Sequence, residues 1–452
     1  MVRLLRLLTV ILTMALMCGT LHAQALPTKV ISASTPNPVG SGARAVGMGG
    51  AFIAVADDAT AASWNPAGLT QLKKPEISFA LSYFSRRDDF SSADHPETEG
   101  VQKSLSKDLN YLSVAYPFQL LERNMIVSLN YQLLYEFDRD ISTDINTSLA
   151  PLSWQAKRKV DFRQSGTLRT LSPAYAIEIT PDFSLGATFN IWTDNLFWSN
   201  GWESDTTING LYYQGGMLKG RGNLVRTDKT KDEDRYYGFS GFNMHLGFLW
   251  NATRFLTLGG VVKTPFTADI KHERVVTNSR RVPGSILPTS RLRVDEDVEL
   301  DMPLSYGLGA AFRLSDELTV SLDVYRTEWD HFRLEDGQGN HLSPITLKPS
   351  HKSPIEETTQ VRMGAEYLFI FTKTVIPVRA GVFYDPEPSE KNPQDFWGVA
   401  LGTGVSIGDL IFDCAYQFRY GKNAEGDVFL DLPKTNADVE QHLFMVSMIY
   451  HF

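Results

Sequence analysis

The sequence predicts an all-β fold, a transmembrane antiparallel β-barrel of about fourteen strands. Three observations support this fold class. Apolar and polar residues alternate over most of the chain, the connections between these segments are long and short in turn, and the last residue is aromatic. Alternation with a period of two places apolar side chains on one face of a strand. A closed barrel leaves no backbone group unpaired in lipid, so such a chain can be integral without an apolar helix.

Residues 1–25 have the features of a secretory signal peptide. Arg3 and Arg6 precede an apolar stretch that is too short to span a membrane, and Ala23 and Ala25 provide small residues for cleavage. Without the two arginines, the formal net charge of −9 becomes −11. An exported acidic chain is not expected to bind nucleic acid.

The alternation is clearest from Met125 to Phe137, where every second residue is apolar or aromatic and only Ile126 and Leu134 break the pattern. The same reasoning along the chain predicts fourteen strands. They are centred on residues 76–84, 109–118, 124–138, 165–180, 183–194, 236–250, 254–265, 296–313, 317–330, 358–371, 375–385, 396–407, 409–421 and 440–452.

The connections after odd-numbered strands are long, and those after even-numbered strands are tight turns. Long loops on one rim and short turns on the other are typical of bacterial outer-membrane barrels, so we expect the protein there. We expect a monomer because one chain completes the barrel.

A single cysteine, Cys414, follows the signal peptide, and the histidines are scattered. We therefore expect no metal site, no cofactor and no catalytic site.

The last predicted strand reaches the C-terminus. Phe444, Tyr450 and Phe452 lie on its apolar face, and Phe452 is the final residue. A terminal aromatic strand of this kind resembles the signal that outer-membrane barrels present to the barrel assembly machinery. The alternative interpretation is an exported, soluble all-β protein.

Residues 26–74 differ from the rest of the chain because they are rich in glycine and alanine. Asp57 or Asp58 can cap a short helix over Ala59–Ser63, and Asn65 followed by Pro66 is typical of a helix start. A fourteen-stranded barrel has a wide lumen, so we expect this segment to form a hatch of short helices that plugs it. Residues 75–452 would then form the barrel.

The stretch SGARAVGMGGAFIAVADDATAASWNPAGL, residues 41–69, resembles the long-chain fatty-acid transporter (FadL/TodX) family, as do the strands and terminal Phe that follow. The resemblance implies a functional hatch motif formed by Asn65, Pro66, Ala67, Gly47, Gly49, Asp57 and Asp58. It also implies passive uptake of long-chain fatty acids or hydrocarbons through an outer groove, a lumenal pocket and a lateral exit. The expected partners are these compounds, outer-membrane lipid and lipopolysaccharide; no enzyme activity is expected.

The third long connection, about residues 195–235, carries an unusual number of aromatic residues. Exposed aromatic side chains in a loop indicate ligand binding, packing among themselves, or burial in the lipid interface. The candidate ligand-binding residues are Phe197, Trp198, Trp202, Tyr212, Tyr213 and Met217.

Two charged segments leave alternatives open. The fourth connection, about residues 266–295, is basic, which fits either a clamp for carboxylates or lipopolysaccharide phosphates or simply solvated charge. Asp295, Asp297, Glu299 and Asp301 share one face of a predicted strand and cannot face lipid. They should line the lumen or stand above the membrane near basic partners, and a cation site is the other interpretation.

Two further functions are compatible with the same fold. A glycine-rich hatch also resembles that of PorV, a barrel that serves as a partner or shuttle component of protein secretion. A general porin is the third interpretation, which would require a hatch that does not close the lumen.

Overall fold

The computed structural model describes residues 35–37, 40–149, 154–214, 223–390, 392–425 and 435–452, so the predicted signal peptide lies outside the described residues. The helices are α1 (Ala43–Gly47) and α2 (Ala61–Trp64), and none in this part of the chain is long and apolar enough to cross a membrane. Short 3₁₀ turns occupy Pro66–Gln71, Pro96–Thr98, Trp329–His331 and Ser350–Lys352. The strands are β1 (Glu76–Ser92), β2 (Gly100–Leu120), β3 (Arg123–Glu136), β4 (Arg139–Leu149), β5 (Trp154–Thr180), β6 (Phe183–Trp192), β7 (Gly201–Gln214), β8 (Asn223–Asn251), β9 (Leu256–Lys263), β10 (Phe266–Val282), β11 (Ser285–Ile286), β12 (Ser290–Met302), β13 (Ser305–Arg313), β14 (Leu318–Thr327), β15 (Arg333–Glu335), β16 (His341–Leu342), β17 (Thr358–Ile370), β18 (Thr374–Tyr384), β19 (Phe396–Ile407), β20 (Leu410–Glu425) and β21 (Thr435–His451).

Fourteen of these strands form a closed antiparallel wall, which confirms the predicted fold class. In order around the barrel they are β1, β2, β3, β5, β6, β8, β9, β13, β14, β17, β18, β19, β20 and β21. The barrel closes because β1 also pairs with β21, from Glu76 opposite His451 to Ser92 opposite Thr435. Outward positions such as Val399 and Leu401 are exposed and apolar, as a lipid-facing surface requires.

Above the wall, on the rim with the long connections, lies a second set of strands that we call the outer sheet. It consists of β4, the first half of β5, β7, the first half of β8, β10, β12, β15 and β16. The sequence-based interpretation of residues 195–235 and 266–295 as loops was therefore wrong. Strand β7 buries small polar residues such as Ser204 and Thr206, and this hides the alternation that would have revealed it.

The predicted strand 296–313 is also two strands, because Pro303 between β12 and β13 has no N–H for a ladder. Only β13 belongs to the wall. Asp295, Asp297 and Glu299 lie on β12 in the outer sheet and face solvent, with Arg293 at 3.2 Å from Asp295. These carboxylates thus stand above the wall rather than in the lumen.

An aromatic column crosses the outer sheet. Phe137 stacks on Trp202 with ring centroids 5.0 Å apart, Trp202 stacks on Tyr236 at 4.8 Å, and Tyr236 stacks on His272 at 4.3 Å. The column forms part of an apolar cluster that includes Tyr135 at the top of β3. The outer sheet therefore packs directly onto the wall above the lumen.

Candidate functional site: the hatch and the lumenal cavity

Residues 40–74, which we call the hatch, lie inside the wall, and their apolar side chains are buried. Trp64 packs edge-on against Phe52, with ring centroids 5.9 Å apart, and its Nε1 donates to the carbonyl of Ser41 at 2.8 Å. The apolar cluster around them includes small wall residues such as Ala115 and Ala174. Small residues on both sides let the hatch backbone approach the strands closely.

Asn65 fastens the centre of the hatch. Its Oδ1 accepts a hydrogen bond from the N–H of Ala67 at 3.2 Å, which caps the 3₁₀ turn that begins at Pro66. Its Nδ2 donates to the carbonyls of Ile53 in the hatch and Phe248 in the wall, at 2.9 and 2.8 Å. The predicted helix start is present, and the same side chain also bonds the hatch to the wall.

Wall glycines make room for this motif. A Cβ on Gly247 of β8 would lie 2.0 Å from the Oδ1 of Asn65, and one on Gly186 of β6 would lie 2.3 Å from the carbonyl carbon of Pro66. On the opposite side, Gly47 and Gly49 of the hatch approach Gly402 and Gly381 of the wall in the same way. Gly49 has a φ of +66°, which a side chain would strain further.

A chain of alternating charges ties the hatch to β17, β18 and β20. Arg44 contacts Asp57 within the hatch and donates through Nη2 to Glu366 at 2.8 Å. Glu366 also contacts Arg379 at 2.5 Å, and Arg379 reaches Asp413 at 2.5 Å. Glu366, Arg379 and Asp413 are all buried. Because an unpaired buried charge is costly, the members of this chain hold one another in place.

Asp58 begins an Asx turn rather than capping a helix directly. Its carboxylate accepts a hydrogen bond from the N–H of Thr60, the residue that precedes α2. The predicted helix over Ala59–Ser63 thus begins two residues later. Burial, together with the nearby carboxylate of Glu76, raises the pKa of Asp58 to about 7. Asp57 pairs with Arg44 and does not contribute to a cap.

A cavity lies above the hatch, with about 120 Å³ of space for the centres of water-sized molecules. Its lining combines apolar residues of the hatch and wall with a polar set of similar number, although the apolar side chains contribute more of the surface. The apolar residues are Val46, Trp64, Phe84, Leu133, Leu134, Tyr135, Leu443 and Met445, and the polar ones include Thr35, Asn110, Glu136, Arg362, Asp385, Arg419 and Gln441. The hatch forms the floor of this cavity.

The segment before the hatch is seated beside the cavity. Asn37 donates through Nδ2 to Asp385 Oδ1 at 2.7 Å and to the carbonyl of Pro386 at 2.8 Å. Its Oδ1 accepts from Thr358 at 3.0 Å. Asn37 is buried, so the described part of the N-terminal segment is fixed beside the cavity, where β17 begins and β18 ends.

On one side of the cavity the wall ladder is interrupted. Strand β2 pairs with β3 from Leu120 opposite Arg123 up to Tyr111 opposite Gln132, and the ladder ends there. Both strands carry a bulge at this level, Asn110 in β2 and Leu134 in β3. Bulges bend strands, which explains how β3 turns away from β2.

Above this point β2 is linked to β4 only through side chains, among the contacts that the described residues make. The Oγ of Ser104 accepts from the N–H of Asp140 at 3.3 Å, and Gln102 donates to the carbonyl of Ser142 at 2.8 Å. Asn110, Leu133 and Leu134 line both the interruption and the cavity. We call this opening between β2 and β3 the wall gap.

A sequence profile of the family described as outer membrane protein transport protein (OMPP1/FadL/TodX) matches residues 20–397. The chain belongs to this family. Among solved structures it is similar to a FadL homologue of Pseudomonas aeruginosa, with a TM-score of 0.59 and 16% identity over 94% of this chain and 100% of that one. It is also similar to the Pseudomonas putida toluene transporter TodX, with a TM-score of 0.55 and 15% identity over 94% and 100% of the two chains. No curated protein sequence matches.

As a FadL/TodX family member, the protein is an outer-membrane barrel of a family that transports hydrophobic compounds.

The aromatic residues that the sequence singled out do not meet at the cavity. Trp202 is buried in the aromatic column, Trp198 packs edge-on against Tyr131, and Phe197 is almost fully exposed on a bend. Met217 lies outside the described residues, and a ligand-binding role for the set remains a prediction.

Tyr212 and Tyr213 lie near the end of β7 in the outer sheet. The guanidinium of Arg226 lies 3.8 Å from the centre of the Tyr212 ring, so this ring already has a cationic partner. The two tyrosines are half-buried, and neither lines the cavity.

The predicted assembly signal lies on the outer face of β21. Phe444, Tyr450 and Phe452 are exposed toward the lipid side, and the rings of Tyr450 and Phe452 stack at 6.2 Å. The N–H of Phe452 donates to the carbonyl of Pro75 at 3.0 Å, which seals β21 to the chain just before β1. Recognition by the assembly machinery remains a prediction.

The sequence-based reasoning missed most of the cavity lining. Phe84, Tyr135 and Leu443 come from strands far apart in the chain, so no local pattern connects them. One signal was available, because Leu134 breaks the alternation of β3 and is the bulged residue at the wall gap. The structure also brings together the hatch residues Asn65, Gly47 and Gly49 with wall glycines that the sequence did not single out.

Proposed function

We propose that the protein takes up hydrophobic compounds passively, from the outer sheet into the lumenal cavity and then sideways through the wall gap. One observation carries the proposal. The apolar cavity residues Leu133 and Leu134 lie where the ladder between β2 and β3 ends. A compound in the cavity is therefore adjacent to the lipid-facing side of the wall.

The lining suits an apolar ligand. Sites for small hydrophobic molecules present mostly apolar surface, and the larger part of the surface of this cavity is apolar. Transfer of apolar surface from water releases about 25 cal/mol per Å². Partition from the lumen into the lipid needs no other energy source.

The hatch closes the straight route through the lumen. Its buried core, with Trp64 and Phe52 at the centre, lies below the cavity and is bonded to the wall on several sides. A sideways exit lets a compound leave without displacing these contacts. This arrangement explains why the wall gap, rather than a central pore, would carry the transport.

The apolar cluster of the outer sheet offers a path into the cavity. Tyr135 belongs to that cluster and also lines the cavity, so apolar surface is continuous between them. The solved relatives include a toluene transporter and a monoaromatic hydrocarbon channel, named CymD, which support a hydrocarbon as one substrate class.

The proposal is tested by uptake of labelled toluene and oleate into cells that lack their own transporter, with and without this protein. Leu443→Trp fills the cavity and is expected to reduce uptake about tenfold, because the larger ring occupies the ligand's space. Leu401→Trp, on the lipid-facing surface of β19, is the matched control and should transport normally. Heat-modifiable migration confirms that each barrel is folded.

A folded wild-type barrel that moves neither compound would contradict the proposal and favour the secretion-partner interpretation. Equal uptake by Leu443→Trp and the wild type would show that compounds do not pass through this cavity. Recovery of a bound exported protein would then be the next observation to seek.

A further inference from the structure

Two buried arginines line the cavity, and both are paired with a carboxylate of the protein. Arg362 donates through Nη1 to the carbonyl of Gly49 at 3.1 Å and through Nη2 to Gln360 at 3.1 Å. The same Nη2 lies 3.4 Å from Asp385 Oδ2. The guanidinium also lies 5.2 Å from the centre of the Phe383 ring.

Arg419 is held in a similar way. Its Nη1 donates to Glu387 at 2.6 Å and to Gln441 at 2.9 Å, and its Nη2 donates to the carbonyl of Asp385 at 2.7 Å. Its Nε lies 3.3 Å from Asp385 Oδ2, and its guanidinium covers the Phe396 ring at 3.9 Å. The charge of each arginine is thus neutralised by the protein itself.

Asp385 is the shared partner of both cations. Its side chain is about 1% exposed, and it accepts further hydrogen bonds from Asn37 at 2.7 Å and Thr35 at 3.1 Å. A ligand carboxylate that binds Arg362 or Arg419 must compete with Asp385, which lies 3.4 and 3.3 Å from the two guanidinium groups. The exchange would leave one buried carboxylate without a cation.

Two arginines slightly farther from the cavity share one carboxylate. Arg86 and Arg139 both contact Asp88, at 2.9 and 3.1 Å, and Glu136 lines the cavity. A carboxylate that enters the cavity would therefore meet arginines that already pair with carboxylates of the protein.

We propose, resting on the proposed function, that the cavity selects uncharged hydrophobic compounds over carboxylates and that Asp385 determines this specificity. Burying an ionised carboxylate without a free cation is strongly unfavourable. An uncharged ring or alkyl chain meets Phe84, Leu133 and Met445 and disturbs no ion pair. Neutral hydrocarbons, rather than fatty acids, are the substrate class that this charge arrangement admits.

The test compares two ligands with the same apolar body, 4-butylbenzyl alcohol and 4-butylbenzoate, at about pH 8, where the benzoate is ionised. Binding to the purified full-length protein is measured by equilibrium dialysis with radiolabelled ligands and protein-free micelles as the blank. The wild type is expected to bind the alcohol at least about tenfold more tightly than the benzoate, because only the benzoate must bury an unpaired charge.

Asp385→Asn removes the carboxylate that pairs with Arg362, whereas Arg419 keeps Glu387, and it is expected to increase benzoate affinity about tenfold. Asp409→Asn, which alters an exposed ion pair with Lys74, is the control and should keep the wild-type preference. Equal binding of both ligands by the wild type would overturn the inference but leave the proposed function intact. Failure to bind either ligand would instead contradict the cavity as a transport site.

If Asp385→Asn folds, as shown by heat-modifiable migration, but does not gain benzoate affinity, the assignment of Asp385 as the specificity residue is wrong. If that variant does not fold, the wild-type preference between the two ligands still decides whether the cavity rejects carboxylates.

Discussion

The two sides of the barrel wall that face the hatch are built differently. On the side of β17 to β20, neighbouring strands stay paired along the wall. The hatch is tied to these strands by the ion pairs of Arg44, Glu366, Arg379 and Asp413. We call this the anchored side. On the side of β1 to β3, the ladder is interrupted at Asn110 and Leu134, and the cavity opens toward it. We call this the open side.

This difference suggests a division of roles. A bulge alone does not open a wall, because β20 also has extra residues, Lys422 and Asn423, opposite Asp438 of β21, and there the ladder resumes at Ala424. The open side differs because β3 leaves β2 and pairs no further with it. The anchored side fixes the hatch, and the open side provides the exit.

The largest effect is expected when ion pairs on the anchored side are removed. Arg379→Gln leaves Asp413 without its cation and Glu366 with only Arg44, so the hatch should lose roughly 3–5 kcal/mol of stability against local unfolding. Limited proteolysis within residues 43–72 should become faster while the barrel stays folded. Arg313→Gln, at an exposed position on β13, is the control and should behave as the wild type.

The Asn65 contacts lie between the two sides, and removing them should have a smaller effect. Asn65→Ala deletes one cap and leaves the carbonyls of Ile53 and Phe248 without its amide, at a cost of roughly 1–3 kcal/mol. Uptake should fall because the floor of the cavity loosens, while heat-modifiable migration is retained. Asn251→Ala, at the exposed end of β8, should leave uptake unchanged, and an unaffected Asn65→Ala variant would contradict a functional hatch motif.

The stability of the folded hatch should depend on pH. In the folded hatch, burial raises the pKa of Asp58 to about 7, whereas an exposed aspartate ionises near its ordinary, lower value. Between these values the folded hatch binds more protons than the unfolded one, so its stability falls as pH rises through about 7. The expected slope is on the order of 1 kcal/mol per pH unit.

Proteolysis of the hatch, normalised to a reference peptide at each pH, measures this slope. Asp58→Asn should remove it, because the amide does not titrate. Asp57→Asn breaks a different contact, with Arg44, and should retain the slope. A slope that survives in Asp58→Asn would show that another group controls the pH dependence.

Much of this molecule could be predicted from its sequence, and the limits have physical causes. The fourteen wall strands were predictable because lipid on one face and the lumen on the other impose alternation, as on β19. Asn65 and Pro66 were predictable because a helix start requires a cap. The outer sheet was not predictable from the sequence, because strands in solvent, such as β7, need no regular apolar face.

The cavity could not be predicted in the same way. Its residues, such as Phe84 and Leu443, meet only after the barrel closes, and their partners lie hundreds of positions apart. The wall gap was visible only as the break in alternation at Leu134. Without the pairing partners of β3, that break could not be distinguished from an ordinary exception such as Ile126.

Deleting Leu134 tests the central claim, that compounds leave through the wall gap, most directly. Removal of the bulged residue straightens β3 and allows it to continue along β2, so the gap should close. Toluene uptake is expected to fall about tenfold while the barrel still folds, whereas deletion of Asn423 from the bulge in β20 should leave uptake unchanged. Undiminished uptake by a folded Leu134 deletion variant would contradict the lateral exit.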